Sequence, residues 1–120
     1  MHKILIVDDQ YGIRVLLQEI LQKEGHDILE ASNGSTALEL LEHEHPDLVL
    51  LDMKIPGMDG VEILRKRSER GLAPGASVIL MTAYGELSMM QEAEQLGASS
   101  YISKPFDINQ IREEIQKYLV

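Results

Sequence analysis

Acidic, basic and hydroxyl side chains directly follow apolar stretches of this sequence, at the points where strands of a sheet would end. Asp8 and Asp9 follow KILIV, and Asp52 follows LVLL. Thr82 follows VILM, and Lys104 follows SYIS. Parallel strands end at one shared edge of their sheet, and open α/β sheets place their ligands at that edge. The five side chains are therefore expected to converge on one site.

The three carboxylates in this set predict a metal site. Carboxylates that converge repel one another, which raises the pKa of some of them unless a cation joins the cluster. Oxygen ligands without histidine or cysteine favour a hard ion, Mg²⁺ or Mn²⁺. Mg²⁺ binds through one or two carboxylates and completes its shell with water and phosphate oxygens. Asp8, Asp9 and Asp52 are therefore the candidate ligands, and the site is predicted to receive a phosphoryl group.

The same set of side chains could carry out phosphoryl transfer. An aspartate carboxylate can accept phosphoryl covalently, so Asp52 is the candidate acceptor. A lysine ammonium is a compact charge with three donors, and a threonine hydroxyl can donate to another oxygen. Lys104 and Thr82 therefore suit phosphoryl oxygens, and together with a metal ion they could stabilise in-line transfer. One such residue could be an ordinary polar strand end, but five at matched positions favour a functional site.

The apolar pattern predicts the elements that must hold these residues. Strands are expected at 3–7, 27–31, 48–51, 78–81 and 100–103. The continuous apolar run at 48–51 suits a parallel strand that helices cover on both faces, whereas 27–31 is the weaker strand. Helices are expected between and after the strands, which makes five of each. This alternation predicts the α/β class with a doubly wound five-stranded parallel sheet in the order 2-1-3-4-5, a flavodoxin-like fold.

Helix boundaries and core faces are also predicted. Asp59 can cap the third helix, and Asp107 with Gln110 matches a capping box for the last one. The triplet 65–67, Arg-Lys-Arg, is expected to form a solvent-exposed helix end. The expected core stripes are Ile13, Leu16, Leu17, Ile20 and Leu21 in the first helix, Ala37, Leu38 and Leu41 in the second, Met89, Met90, Ala93 and Leu96 in the fourth, and Ile108, Ile111, Ile115 and Leu119 in the last.

Composition limits the classes of protein. The 120 residues suit one domain, and 44% hydrophobic residues favour a globular chain. The net charge of −9, from 11 basic and 20 acidic residues, disfavours nucleic acid, because an acidic surface repels phosphate backbones. No apolar run approaches the roughly 20 residues of a membrane span. With no cysteine, thiol chemistry is excluded, and a cytoplasmic location is the default expectation.

Four stretches, ILIVDDQ, LVLLDMKIPGMDG, VILMTAYG and SKPFD, resemble the signature blocks of bacterial response-regulator receiver domains. The resemblance extends over the whole chain at the family's spacing, so a single receiver domain over 1–120 is expected. It implies that Asp52 accepts phosphoryl from a phosphohistidine. It also implies that Asp9, Asp52 and the backbone carbonyl of Lys54 bind Mg²⁺, while Asp8 assists through water.

The resemblance assigns roles on the other strands as well. It implies that Thr82 and Lys104 contact the phosphoryl group. Tyr101 matches the aromatic position that rotates when the threonine moves. Receiver domains also share a cis peptide bond at the position of Lys104-Pro105, and a cis bond is therefore expected here.

Within the family, DDQYGIR, DMKIPGMDG, MTAYGEL and KPFDI resemble stand-alone receivers that act as phosphorelay intermediates in the sporulation of spore-forming bacilli. This implies a monomer that takes phosphoryl from a sensor histidine kinase and passes it to a histidine phosphotransferase. Its activity would be phosphotransfer with slow self-dephosphorylation, and a phosphatase is a further expected partner. A chemotaxis-type receiver that binds a motor protein or another target has the same active site and stays open as the alternative.

Partner docking is predicted beside the acidic site. An apolar rim there would suit helices that present a histidine, and Tyr84 with Lys54 would flank the phosphoryl group. The predicted docking residues are Tyr11, Gly12, Ile13, Val15, Tyr84, Pro105 and Phe106.

Two enzyme classes with a related fold or chemistry fit less well. A flavodoxin should carry a Ser/Thr/Gly-rich phosphate loop after its first strand, where this chain has Asp8-Asp9-Gln10. A hydrolase that uses an aspartyl phosphate needs a second acid two residues after the nucleophile, and that position is Lys54. The four histidines are expected to be surface residues.

Overall fold

Strands and helices alternate along residues 2–83 and 87–119, the part of the chain described by this computed structural model. The strands are β1 (Lys3–Val7), β2 (Asp27–Ala31), β3 (Leu48–Asp52), β4 (Ser77–Thr82) and β5 (Ser100–Ser103). The helices are α1 (Tyr11–Lys23), α2 (Gly34–Glu44), α3 (Gly60–Arg70), α4 (Leu87–Gln95) and α5 (Ile108–Tyr118). Every predicted strand is confirmed, although β3 is one residue longer and β4 is longer by one residue at each end. None of the described helices is long and apolar enough to cross a membrane.

The five strands form one sheet in the order β2-β1-β3-β4-β5, and each neighbouring pair is parallel. The predicted doubly wound α/β fold is confirmed. Strand side chains alternate between two cores, as the period of two requires. Leu5 and Val7 pack in the core beneath α2, α3 and α4. Ile4 and Ile6 pack in the core beneath α1 and α5. Helices therefore cover both faces, and the carboxyl edge of the sheet is left for the site.

Side-chain caps set the start of three helices. Asn33 accepts a hydrogen bond from the Thr36 amide at the start of α2. The Asp59 cap is confirmed, because its carboxylate accepts from the Glu62 amide, 2.9 Å away. The capping box of α5 is also confirmed, with Asp107 and Gln110 bonded reciprocally. Such caps satisfy amides that have no partner within the helix.

Three sequence predictions about exposure were wrong. Leu16 and Ile108, which were assigned to core stripes, are 42% and 41% exposed. Each of these two residues lies at the margin of its apolar stripe. In α1, the buried face is formed by Leu17, Ile20 and Leu21. Arg67 is buried, and its guanidinium donates to the carbonyls of Leu72, Ala73 and Ala76. The triplet therefore does not form a uniformly solvent-exposed helix end, because one arginine holds the loop that follows α3.

Candidate functional site

The ends of four adjacent strands bring the predicted site residues to one edge of the sheet. β1 pairs with β3 up to Val7 and Leu51, so Asp8 and Asp52 are the next residues on neighbouring strands. Thr82 is the last residue of β4, and its partner in β5 is Ser103, the residue before Lys104. The parallel register therefore produces the convergence that the sequence predicts.

The three carboxylates form a compact acidic cluster. One carboxylate oxygen from each of Asp8, Asp9 and Asp52 lies within 4.8 Å of the other two. Asp8 and Asp52 are buried, whereas Asp9 is exposed. Oxygen ligands at this spacing suit a hard divalent cation. An ion here would meet solvent on the Asp9 side, where water could complete its shell.

Burial changes the acid–base properties of Asp52. Asp52 is only 6% exposed. Its desolvation raises the pKa, the nearby charge of Lys104 opposes this, and the charge of Asp8 adds to the increase, so the pKa lies above its ordinary value. A cation bound to the cluster would favour the ionised form, which is the nucleophilic form of a carboxylate.

Lys104 turns back from β5 and binds the acidic cluster. Its Nζ lies 2.8 Å from Asp8 Oδ2, 3.3 Å from Asp52 Oδ2 and 3.5 Å from Gln10 Oε1. Burial alone would lower the pKa of this lysine, but the hydrogen bond to Asp8 and the charge of Asp52 outweigh it, and the pKa is raised. The lysine is therefore charged at neutral pH. The peptide bond between Lys104 and Pro105 is cis, as predicted.

The loop after β3 packs closely against Asp52. The Lys54 amide lies 3.3 Å from Asp52 Oδ1, and the Gly60 amide donates to the Met53 carbonyl over 2.9 Å. A Cβ on Gly60 would lie 3.1 Å from both the Asp52 carbonyl oxygen and the Met53 Cα. Glycine therefore avoids a tight contact where α3 starts close to the end of β3. A cavity of about 330 Å³ opens beside this loop. It is lined by Asp9, Lys54, Ile55, Pro56, Asp59 and Met89.

The two predicted switch residues lie on adjacent strands. Thr82 is buried, and its hydroxyl is 3.5 Å from the Ile102 carbonyl in β5. Tyr101, the residue before that carbonyl, is 49% exposed. The threonine thus contacts the backbone immediately after the tyrosine, while the tyrosine side chain reaches solvent.

The predicted docking residues differ in exposure. Tyr11 is 72% exposed and Val15 is 37% exposed. Gly12 and Pro105 are exposed as well. Ile13 and Phe106 are half-buried and pack against the core beneath α1 and α5, so they present only part of their surface. Tyr84 lies outside the described residues.

Two residues outside the predicted catalytic and metal-binding set, Gln10 and Arg14, contact Asp8, and the sequence places Arg14 beside the acids without giving it a role. Asp8 Oδ1 accepts a hydrogen bond from the Gln10 amide over 2.8 Å, and Arg14 Nη1 donates to the Asp8 carbonyl over 2.7 Å. The spacing of Arg14, one turn into the helix after the acids, is the signal that could have indicated contact with this loop. These contacts hold the segment that carries two of the three acids.

Comparison with known proteins gives a consistent assignment. The family model for the response regulator receiver domain matches residues 4–116 of this chain. Sporulation initiation phosphotransferase F of Bacillus subtilis is 57% identical over 117 residues, which span 98% of this chain and 93% of that protein. Chemotaxis protein CheY of Bacillus subtilis is 39% identical over 98% of both chains.

Solved structures agree with the fold. A CheY-like receiver domain protein from Methanospirillum hungatei superposes with a TM-score of 0.90 at 33% identity, over 98% of this chain and 92% of that one. Chemotaxis protein CheY4 of Vibrio cholerae gives a TM-score of 0.91 at 26% identity, over 99% of both chains.

Proposed function

The chain belongs to the response regulator receiver domain family, and on that basis we propose that it is a stand-alone phosphorelay receiver that carries phosphoryl on Asp52. The observation that carries the proposal is the buried Asp52 carboxylate beside two other acids and Lys104. The same carboxylate belongs to the last residue of β3, the central strand of the sheet. Asp52 is thus the residue on which the donor, the cation and the lysine can act together.

The transfer follows from the chemistry of these groups. The N–P bond to a donor histidine breaks, and its electron pair returns to the ring nitrogen. A bond forms between phosphorus and an Asp52 carboxylate oxygen, and a ring protonated on its other nitrogen leaves as neutral imidazole. Lys104 moves from the acids to a phosphoryl oxygen, and Thr82 donates its hydroxyl to another. Onward transfer is the same exchange run in reverse with a second histidine.

We propose that Mg²⁺, or Mn²⁺ in its place, is the cofactor. Asp9, Asp52 and the Lys54 carbonyl would hold it, with Asp8 acting through water. A bound divalent ion neutralises charge on the phosphoryl oxygens as transfer proceeds. The support is the acidic cluster itself, because its oxygen atoms have the ligand type and crowding that a hard cation relieves. The protein contributes the orientation of each carboxylate.

The proposed physiological role is control of sporulation. A relative that is 57% identical is named a sporulation initiation phosphotransferase, which supports a sensor histidine kinase as donor and a histidine phosphotransferase as acceptor. A phosphatase would reset the system. The proposal takes residues 1–120 as one monomeric receiver domain in the cytoplasm, where ATP-dependent kinases operate.

Docking of these partners is assigned to the rim beside the acidic cluster. Tyr11 and Val15 on α1 present exposed apolar surface there, and Gly12 and Pro105 are exposed as well. Ile13 and Phe106 are half-buried and pack against the core beneath α1 and α5, and Tyr84 completes the predicted set. Tyr101, which is also exposed, would report the phosphorylated state by rotating as Thr82 moves.

A chemotaxis-type receiver is the second candidate. The observation that favours it is the 39% identity to CheY of Bacillus subtilis over 98% of both chains. In that case the phosphorylated protein would act by binding a target rather than by donating phosphoryl.

Phosphotransfer assays separate the two candidates. Protein labelled on Asp52 should lose its label to a purified histidine phosphotransferase, and the acceptor should gain it. The control is the same acceptor with its histidine replaced, which should leave the label in place. If no histidine phosphotransferase accepts the label, while phosphorylation tightens binding to a motor protein or another target, the chemotaxis-type function replaces the relay.

A further inference from the structure

Arg14 is a largely buried cation with contacts to three segments around the acidic cluster. Its side chain is 15% exposed. Nη1 donates to the Asp8 carbonyl at the end of β1 over 2.7 Å. Nε lies 3.3 Å from Oε1 of Glu30 in β2. The guanidinium carbon lies 5.7 Å from the centre of the Tyr11 ring at the start of α1. One side chain therefore joins β1, β2 and α1.

The contact to Asp8 fixes a peptide plane that matters to the site. The carbonyl of Asp8 belongs to the planar peptide that leads to Asp9. The same residue is held on its other side, because its amide donates to the Ala31 carbonyl over 3.1 Å. Once the Asp8 carbonyl is held as well, the direction in which the chain enters Asp9 is constrained. The Arg14 contact therefore constrains the peptide plane from which Asp9 continues.

Glu30 determines how the guanidinium is turned. It pairs with Ile6 across the β1–β2 ladder, and its side chain is one-third exposed. The planar guanidinium has donors in a rigid fork. With Nε facing Glu30, Nη1 points to the Asp8 carbonyl, so a single orientation satisfies both acceptors. A lysine in place of Arg14 could supply the charge but could not span both acceptors in this way.

We propose that Arg14 and Glu30 form a positioning pair that presets the Asp8–Asp9 peptide for the divalent cation. This rests on the Mg²⁺ site of the proposed function. Neither residue contacts the ion; Arg14 acts through the backbone of Asp8, and Glu30 acts through Arg14. In many metal sites, outer groups orient the ligands, and the loss of one such group weakens metal affinity by roughly 10–100-fold. Arg14 and Glu30 are groups of this kind.

Simple electrostatics predicts the opposite sign for Arg14. A cation close to the acidic cluster repels Mg²⁺, so removing its charge alone would tighten Mg²⁺ binding. A positioning role predicts weaker binding when the side chain is removed. It also predicts weaker binding in Arg14→Lys, which keeps the charge and loses the fork. The direction of the change therefore separates the two effects.

The experiment is an Mg²⁺ titration of the unphosphorylated full chain, followed by calorimetry or by amide shifts of the loop. Arg14→Ala should weaken binding on the order of tenfold, and Arg14→Lys should weaken it less. Glu30→Gln should weaken binding in the wild-type background and add almost nothing in the Arg14→Ala background, because coupled residues are not additive. Lys23→Ala is the matched control, since it breaks an exposed ion pair of the same helix with Glu19 and should leave affinity unchanged.

Asp9→Ala is the reference variant, because it shows how far Mg²⁺ affinity falls when a proposed ligand is lost. Circular dichroism and thermal melting establish that each variant is folded; should Arg14→Ala fail to fold, Arg14→Lys and the Glu30→Gln variant carry the test. Wild-type affinity in Arg14→Lys, or tighter binding in Arg14→Ala, would overturn the positioning pair alone. If the wild-type protein does not bind Mg²⁺, the proposed cofactor fails and the pair fails with it.

Discussion

Lys104 lies closer to Asp8 than to Asp52, the proposed acceptor: its Nζ is 2.8 Å from Asp8 Oδ2 and 3.3 Å from Asp52 Oδ2. Asp8 is fully buried, whereas the lysine side chain is 18% exposed. The ammonium therefore neutralises the least accessible carboxylate while it remains beside the acceptor. From this position, we expect the ammonium to donate to a phosphoryl group once Asp52 carries one.

Replacing this lysine should make the fold depend on Mg²⁺. Lys104→Ala removes the cation that offsets the repulsion between the acids, so the metal-free protein should lose about 2 kcal/mol of unfolding free energy. Mg²⁺ should restore more stability in the variant than it adds to wild type, because the ion takes over the neutralisation. Chemical denaturation with and without Mg²⁺ measures both quantities. Lys117→Ala, which breaks an exposed ion pair with Glu114, is the control and should change stability little. An Mg²⁺ effect equal to that of wild type would contradict this account of Lys104.

His26 should make stability depend on pH. Burial lowers its pKa, the charge of His2 lowers it further, and Glu24 partly opposes them. The folded state therefore takes up the proton at lower pH than the unfolded chain, whose histidine pKa is about 6.5. The contribution is fully present above that value and is lost as the pH falls below it. His26→Gln should flatten the stability curve below about pH 6.5. His43→Gln, at an exposed position, is the control for the loss of a histidine as such, and an unchanged slope in His26→Gln would refute the assignment.

Gly60 should be sensitive to substitution for a steric reason. A Cβ there would lie 3.1 Å from the Asp52 carbonyl oxygen and the Met53 Cα, so Gly60→Ala must displace the end of β3 or the start of α3. We expect a loss of about 1–2 kcal/mol despite the better helix propensity of alanine, together with slower labelling by acetyl phosphate. Gly75→Ala is the matched control, since its Cβ would meet nothing within 4 Å. Equal stability and labelling rate in the two variants would show that the close approach is unimportant.

Val15 should affect partner exchange without affecting the chemistry. It is 37% exposed on α1, so Val15→Lys should fold normally. We expect transfer to and from histidine partners to slow roughly fivefold or more, as for a residue worth about 1 kcal/mol in an interface. Labelling by acetyl phosphate should be unchanged. Leu16→Lys is the control on the same helix at 42% exposure; an equal effect of the two variants would place the docking surface elsewhere. Ile13 and Phe106 are poorer test positions because they also pack on the core.

Much of the site could be predicted because strand ends are local features of the sequence. Asp8 and Asp52 each end an apolar run, and Lys104 follows the last strand. Parallel pairing of the strands then brings these residues to one edge of the sheet. Side-chain contacts between distant segments could not be predicted in this way. The link from Arg14 to Glu30 depends on how α1 lies over β2, and the burial of Arg67 depends on the path of the loop after α3. Both are long side chains whose destination is decided by tertiary packing.

The central claim is that Asp52 accepts phosphoryl, and intact-mass measurement after incubation with acetyl phosphate and Mg²⁺ tests it most directly. Wild-type protein should gain one phosphoryl group that hydroxylamine removes, as expected for an acyl phosphate. Asp52→Asn should gain none, and Asp59→Asn, which alters an exposed aspartate of the same region, should be labelled like wild type. Undiminished, hydroxylamine-sensitive labelling of Asp52→Asn would contradict the assignment of the acceptor.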